Sequence, residues 1–267
     1  MRRYVTLFLV GCCTVGRADT MVKTHTVTTD SATSRSVQNL SEHHDVLYRS
    51  GTMRRKDRLG GAATLLVSDI ANCATGIGFL IDSDAHEYRT YKVVKFGTMA
   101  QLDDYRKKNP QDVVQIESKT VDTGERRTFF GHLAKHFVTT TKRLADEKSA
   151  GGEETTDGWY IDHEKADNRC APDYVRTEPF YVIGTGLVML PQIAHFNHSG
   201  PVPSGLAVKL TVTHKVTGSR GAADRTIKIE ETVEELSDSP LSPSLFELPA
   251  GFHENPLMLI GKPRTHP

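Results

Sequence analysis

Short segments in which apolar and polar residues alternate, separated by turn-forming residues, make up most of the chain after residue 45. The alternation is strictest over residues 208–216 and 227–234, where every second side chain is polar. Such a period of two is typical of antiparallel strands that bury one face and expose the other. The whole pattern predicts nine to eleven strands in a mainly β fold, either a curved antiparallel sheet or a half-open β-barrel with one or two short helices.

Three local patterns refine this outline. Met99, Leu102 and Tyr105 are three residues apart and Pro110 follows, so we expect a short helix over residues 98–109. Residues 122–125 read Asp-Thr-Gly-Glu and predict the turn of a hairpin. Residues 145–156 are charged and contain glycines, which predicts a surface loop.

The N-terminus has the features of a secretory signal peptide. Arg2 and Arg3 precede a short apolar run, and small residues before Asp19 provide a cleavage site. We therefore expect a signal peptide at 1–18, a polar lead-in at 19–44 with room for one strand at 24–29, an antiparallel β domain at 45–252 and a C-terminal tail at 253–267. The location expected is the periplasm or the exterior. Because Leu-Val-Gly-Cys ends at Cys12 and resembles a lipobox, lipidation of Cys12 and anchoring in the outer membrane is the alternative.

Charge and cysteine content narrow the class of protein. The chain balances 33 Lys and Arg against 33 Asp and Glu, which does not favour a nucleic-acid partner. No stretch after the leader has the roughly 20 apolar residues of a transmembrane helix. Beyond the leader only Cys73 and Cys170 remain, and in an oxidising compartment we expect them to form a disulfide, with two buried thiols as the alternative.

Known catalytic motifs are absent from the sequence, and we predict no enzyme activity, metal or cofactor. The segment GHLAKHFVTTT carries His132 and His136, but its β-branched tail favours a strand, which would hold the two rings about 13 Å apart. His195 and His198 are expected in a loop. A metal-dependent enzyme built from these four histidines is a weaker alternative.

Aromatic side chains cluster along the predicted strands and are the candidates for contact with an apolar ligand. In a curved sheet they either fill the core or line a cavity. The candidates are Phe79, Tyr88, Tyr91, Phe129, Phe137, Trp159 and Phe180.

Three segments together carry a resemblance: TGERRTFFGHLAKHFVTTT, TDGWYID and SPSLFELPAGF. Over residues 45–252 the chain resembles an exported bacterial family of unknown function, which is similar to the periplasmic lipoprotein-carrier (Lol-type) group. The resemblance implies a half-open antiparallel barrel whose concave apolar face holds acyl chains, and it supplies no catalytic residue. Carriers of that group have several helices as a lid, whereas this sequence predicts essentially one.

The sequence thus predicts an exported envelope or periplasmic protein that binds an apolar or amphipathic ligand, a lipid or a lipoprotein acyl chain, non-covalently. The alternative is a structural or protein-interaction β module of the cell envelope that has no ligand cavity and contacts an envelope protein through its edge strands.

Overall fold

The computed structural model describes residues 19–31, 39–60, 65–92, 107–108, 113–143, 152–163, 193–216 and 225–256. These residues form one thirteen-stranded sheet that is curved and open, so the predicted mainly β fold is confirmed. The strands are β1 Thr20–Asp30, β2 Asn39–Ser50, β3 Met53–Leu59, β4 Leu65–Asn72, β5 Ile77–Asp82, β6 Glu87–Lys92, β7 Val113–Phe129, β8 His132–Arg143, β9 Gly152–Ile161, β10 Ile193–Ser199, β11 Leu206–Val216, β12 Arg225–Ser237 and β13 His253–Glu254.

The order of the strands across the sheet is β10-β7-β8-β9-β11-β12-β1-β2-β3-β4-β5-β6-β13. Strand β1 therefore lies in the middle of the sheet, where it pairs with β12 from the C-terminal part of the chain. All neighbours are antiparallel except at the two edges, where β10 runs parallel to β7 and β13 runs parallel to β6. An antiparallel sheet was predicted, and these parallel edges are the departure from it.

Exposure alternates along the strands and distinguishes two faces of the sheet. On β7, Ile116, Ser118 and Thr120 are buried, whereas the residues between them are exposed. On β12, Ile227 is buried and Ile229 half-buried, whereas Lys228 and Glu230 are exposed. Because directly paired residues lie on the same face, the strand registers connect these two sets across β8, β9 and β11. We call the side that carries these residues the inner face and the opposite side the outer face.

Two hydrophobic clusters hold the sheet together. The first joins strands β8, β9, β11, β12, β1 and β2 through Val22, Ala134, Trp159, Ile161, Val208 and Val233. The second centres on Ile70 and Ile81 at the β4–β5 end of the sheet. There a 3₁₀ helix at Pro243–Phe246 buries Phe246 against the sheet. Prolines in this segment exclude a central strand.

The β7–β8 hairpin turns at a different place from the one predicted. Phe129 pairs with His132, and Phe130 and Gly131 between them both have positive φ, at 49° and 78°, as a two-residue type I′ turn requires. The expected turn at residues 122–125 is instead a bulge inside β7. Its Asp-Thr-Gly chemistry bends the chain locally, but the strand continues because the pairing with β8 resumes at Arg126.

Other boundaries also differ from the prediction. Residues 20–30 and 39–44 belong to β1 and β2, so the region expected to be a polar lead-in lies at the centre of the sheet. Its threonines favour strands without supplying an apolar pattern. Residues 152–156 are part of β9 and residues 195–198 part of β10, where loops were expected. The predicted helix at 98–109 lies outside the described residues except for 107–108, which are helical.

Candidate functional site

An apolar strip crosses the inner face over four neighbouring strands of the C-terminal half. It consists of Phe137 on β8, Tyr160 on β9, Leu210 and Val212 on β11, and Ile227 and Ile229 on β12. Phe137 and Ile227 are buried, and the other four are half-buried. At about 4.8 Å per strand, the distance from β8 to β12 is about 14 Å. We call these six residues the inner strip.

Gly158 allows the inner strip to be continuous across β9. It pairs with Phe137 on one side and with Leu210 on the other. A Cβ at this position would lie 2.6 Å from Leu210 Cδ2 and 2.7 Å from Tyr160 Cε2. The side chains of the neighbours therefore pack over the glycine backbone, and Tyr160 also meets the ring of Phe137 edge-on at 5.8 Å.

A charged group continues the inner face next to the strip, on strands β2 and β3. Arg58 Nε and Nη2 donate to the Asp45 carboxylate at 3.0 and 3.3 Å, and Lys56 Nζ lies 2.9 Å from the same carboxylate. Two cations therefore contact one anion. Glu231 joins this group to the strip, since it lies between Leu210 on β11 and Thr26 on β1 in the strand register.

Burial and charge set the ionisation of this group. Burial would raise the pKa of Asp45, but hydrogen bonds from Arg58 and Lys56 outweigh it and hold the pKa below its ordinary value. Burial raises the pKa of Glu231, and the nearby Lys56 offsets only part of this effect. Burial and Arg58 lower the pKa of His43 on the same face. Two cations and two carboxylates are therefore close together on this part of the inner face.

The predicted aromatic residues do not converge on one surface. Phe79 and Tyr88 are in edge contact at 6.0 Å and pack in the second cluster, against the segment that contains the 3₁₀ helix. Tyr91 donates a hydrogen bond to Asp69, and burial together with this bond raises its pKa. Phe129 packs on Trp159 in the first cluster, at 5.9 Å.

Of the predicted residues, only Phe137 belongs to the inner strip. The sequence analysis did not predict the strip as a site. Four of its six residues nevertheless lie in the alternating segments 208–216 and 227–234, which were the available signal. Phe180 lies outside the described residues, as do Cys12 and Cys170. Cys73 is in the turn after β4, and its backbone N–H donates to Thr52 O at 2.9 Å. The predicted Cys73–Cys170 disulfide therefore stays a prediction.

The histidines considered for a metal-dependent enzyme do not converge on one face. His136 is buried in strand β8, as expected of a strand residue, and its ring stacks on Trp159 at 4.6 Å. A hydrogen bond of 2.8 Å joins its Nε2 to Asp157, and one of 3.0 Å joins its Nδ1 to Thr123. His132 meets the ring of His163 instead, and His198 hydrogen-bonds the inner-face residue Ser118. The four-histidine site is not assembled by the described residues.

The outer face carries a different cluster, which the sequence analysis missed. His25 on β1 and His44 on β2 are directly paired, and their rings stack at 4.6 Å. Glu42, two residues before His44, lies 2.8 Å from His25 Nε2. One ligand atom from each of the three residues lies within 4.8 Å of the others. The spacing of Glu42 and His44, two apart in a strand, was the available signal. We call these three residues the outer histidine cluster.

Comparisons with known proteins identify no family for this chain. No family model and no curated protein matches the chain. The solved structure of an uncharacterized conserved protein from Thermus thermophilus is similar at 8% sequence identity and a TM-score of 0.35. That similarity covers 87% of this chain and 89% of the other. The Lol-type resemblance therefore stays a prediction. Within the described residues there is no helix of sufficient length and apolar character to cross a membrane.

Proposed function

We propose that this protein is exported to the cell envelope or periplasm and there binds an amphipathic or apolar ligand, a lipid or a lipoprotein acyl chain, non-covalently on the inner face of its sheet. The inner strip is the observation that carries the proposal. Side chains of four hydrophobic residues of the strip, on three neighbouring strands, are only half-buried in the free protein. An apolar chain laid across them would remove that surface from water, at about 25 cal/mol per Å².

The charged group makes an amphipathic ligand the better fit than a purely apolar one. Lys56 and Arg58 share the Asp45 carboxylate, and their side chains remain 44% and 49% exposed. An anionic head group placed there would accept hydrogen bonds from Lys56 and Arg58, and its tail would follow the strip past Glu231. The pairing registers place the strip and the charged group on the same face, separated by strand β1.

The test is binding of a long-chain fatty acid to the purified mature protein, measured by native mass spectrometry and by isothermal titration. Val212→Asp places a carboxylate in the inner strip, where a bound chain would have to bury it, and we expect binding at least about 10-fold weaker. Thr213→Asp is the matched control, because the neighbouring residue on β11 is also half-buried but faces outward. Far-UV circular dichroism checks that both variants fold.

Two results would count against the proposal. One is equal affinity in Val212→Asp and Thr213→Asp, which would place any bound lipid elsewhere. The other is no uptake of a fatty acid, a lysophospholipid or an acylated peptide by the wild-type protein. A fatty alcohol of equal length tests the head group: the proposal expects it to bind more weakly than the acid, and Lys56→Gln is expected to reduce that difference.

The alternative function is a protein-interaction module of the envelope, and one observation favours it. Large apolar side chains are exposed around the β7–β8 hairpin and in the segment before β11, namely Val121, Phe130, Leu133 and Val202. Leu133 and Val202 are about 60% exposed. Exposed apolar side chains of this size are suited to contact with another protein. Crosslinking in intact cells from a reactive group placed at position 133 distinguishes the two functions. A protein that binds only lipid gives no protein adduct.

A further inference from the structure

The outer histidine cluster lies on two directly paired strands in the middle of the sheet. Strand β1 is paired along its whole length with β2 on one side and β12 on the other. His25 and His44 lie directly opposite each other across this pairing, and Glu42 projects on the same face because it is two residues from His44. All three donor residues therefore lie on paired strands, and none lies in a loop.

We propose that His25, Glu42 and His44 bind a divalent transition-metal ion, of which Zn²⁺ is the representative. Two imidazoles and one carboxylate are a ligand set that zinc uses in proteins, with a water molecule in the fourth position. Ligand bonds of about 2.0–2.1 Å in a tetrahedral site place donor atoms roughly 3.3 Å apart. The three donor atoms already lie within 4.8 Å of one another, so small side-chain rotations bring them into range.

A second carboxylate supports the site from β12. Glu234 Oε2 lies 3.2 Å from His44 Nδ1, and Lys23 Nζ holds the same oxygen of Glu234 at 3.1 Å. His44 Nδ1 is shielded from solvent and makes no hydrogen bond. A carboxylate beside a histidine ring is the usual means of orienting a metal ligand. Glu234 is therefore a positioning residue, and Glu42 supplies the negative charge that would contact the ion.

The cluster is accessible enough to exchange an ion. The side chains of His25 and His44 are 28% and 23% exposed, and that of Glu42 is 53% exposed. An ordinary surface ion pair needs one histidine and one carboxylate, whereas here two stacked histidines meet two carboxylates.

The experiment uses the full mature chain without a histidine tag, stripped with EDTA and dialysed against metal-free buffer. Zn²⁺ binding is measured by isothermal titration, and Co²⁺ serves as a spectroscopic probe of tetrahedral coordination. We expect one ion per chain and a melting temperature raised by about 5–10 °C when Zn²⁺ is 100-fold above its Kd. His44→Gln and Glu42→Gln are each expected to weaken binding at least about 10-fold, and Glu234→Gln less than either.

His43→Gln is the matched control, because His43 is the neighbour of His44 on β2 but lies on the inner face. It is expected to bind Zn²⁺ as the wild type does. Equal loss in His43→Gln and His44→Gln would overturn the proposal, as would unchanged affinity in both His44→Gln and Glu42→Gln, or no Co²⁺ absorption band. The circular dichroism spectra in the absence of metal show whether each variant folds. Because the site lies on the outer face, its result is independent of lipid binding.

Discussion

Truncation of Ile161 tests whether the first cluster stabilises the sheet as its burial indicates. Ile161 on β9 is 0% exposed and pairs with Ala134 on β8 and with Leu206 on β11. Ile161→Ala removes three carbons, for which the transfer free energy is about 0.8 kcal/mol each, and the cavity that remains raises the cost. We expect the free energy of unfolding to fall by about 3–4 kcal/mol.

Urea unfolding measures this change with a built-in probe. Trp159 is the only tryptophan of the chain and belongs to the same cluster, so its emission reports the opening of that cluster. With an m-value of about 2–3 kcal/mol/M, the midpoint should shift by about 1–2 M. Leu133→Ala is the control on the neighbouring strand, because a side chain 62% exposed should change stability by only about 0.5 kcal/mol.

Ile70→Ala extends the test to the second cluster, where Ile70 is 1% exposed. If the continuous sheet unfolds as one unit, the Trp159 transition shifts in Ile70→Ala as well, and fluorescence and far-UV circular dichroism coincide. A Trp159 midpoint that responds to Ile161→Ala but not to Ile70→Ala would show that the clusters unfold separately. A loss below about 1 kcal/mol in Ile161→Ala would refute the packing argument itself.

Three further outcomes are expected. Glu231→Gln should raise the free energy of unfolding at pH 7 but not near pH 4. Burial raises the folded-state pKa of Glu231, so the wild type loses stability as pH rises from the ordinary value of 4.5 through that pKa. Equal effects of the substitution in urea unfolding at both pH values would contradict this. Gly205→Ala should destabilise the protein more than Gly251→Ala. Both glycines have positive φ, but only a Cβ at position 205 meets a backbone carbonyl, that of Ile161 on β9. Equal melting temperatures of the two variants would show that φ alone matters. In the mature protein, the predicted disulfide between Cys73 and Cys170 should leave no thiol to alkylate. Its reduction should lower the free energy of unfolding by roughly 3–5 kcal/mol. The stability of the double serine variant should not change with reductant.

Local sequence determined the features whose physical cause is local. The alternation over 208–216 and 227–234 identified β11 and β12, because a period of two follows from the geometry of a single strand. The turn at residues 83–85 was likewise predictable, and Asp82 accepts a hydrogen bond there from the backbone of Ala85. His132 and His136 were placed correctly in a strand by the β-branched residues that follow them.

The tertiary structure alone decided which strands are neighbours and which side chains meet. Strand β1 lies at the centre because it pairs with β12, the penultimate strand among the described residues, and no local pattern encodes a contact over that distance. The same pairing brings Glu234 beside His44 and places Glu231 next to the inner strip. The turn-like sequence at 122–125 became a bulge because continued pairing of β7 with β8 outweighed its local preference. Register between distant segments, which depends on packing across the whole sheet, therefore created both candidate sites.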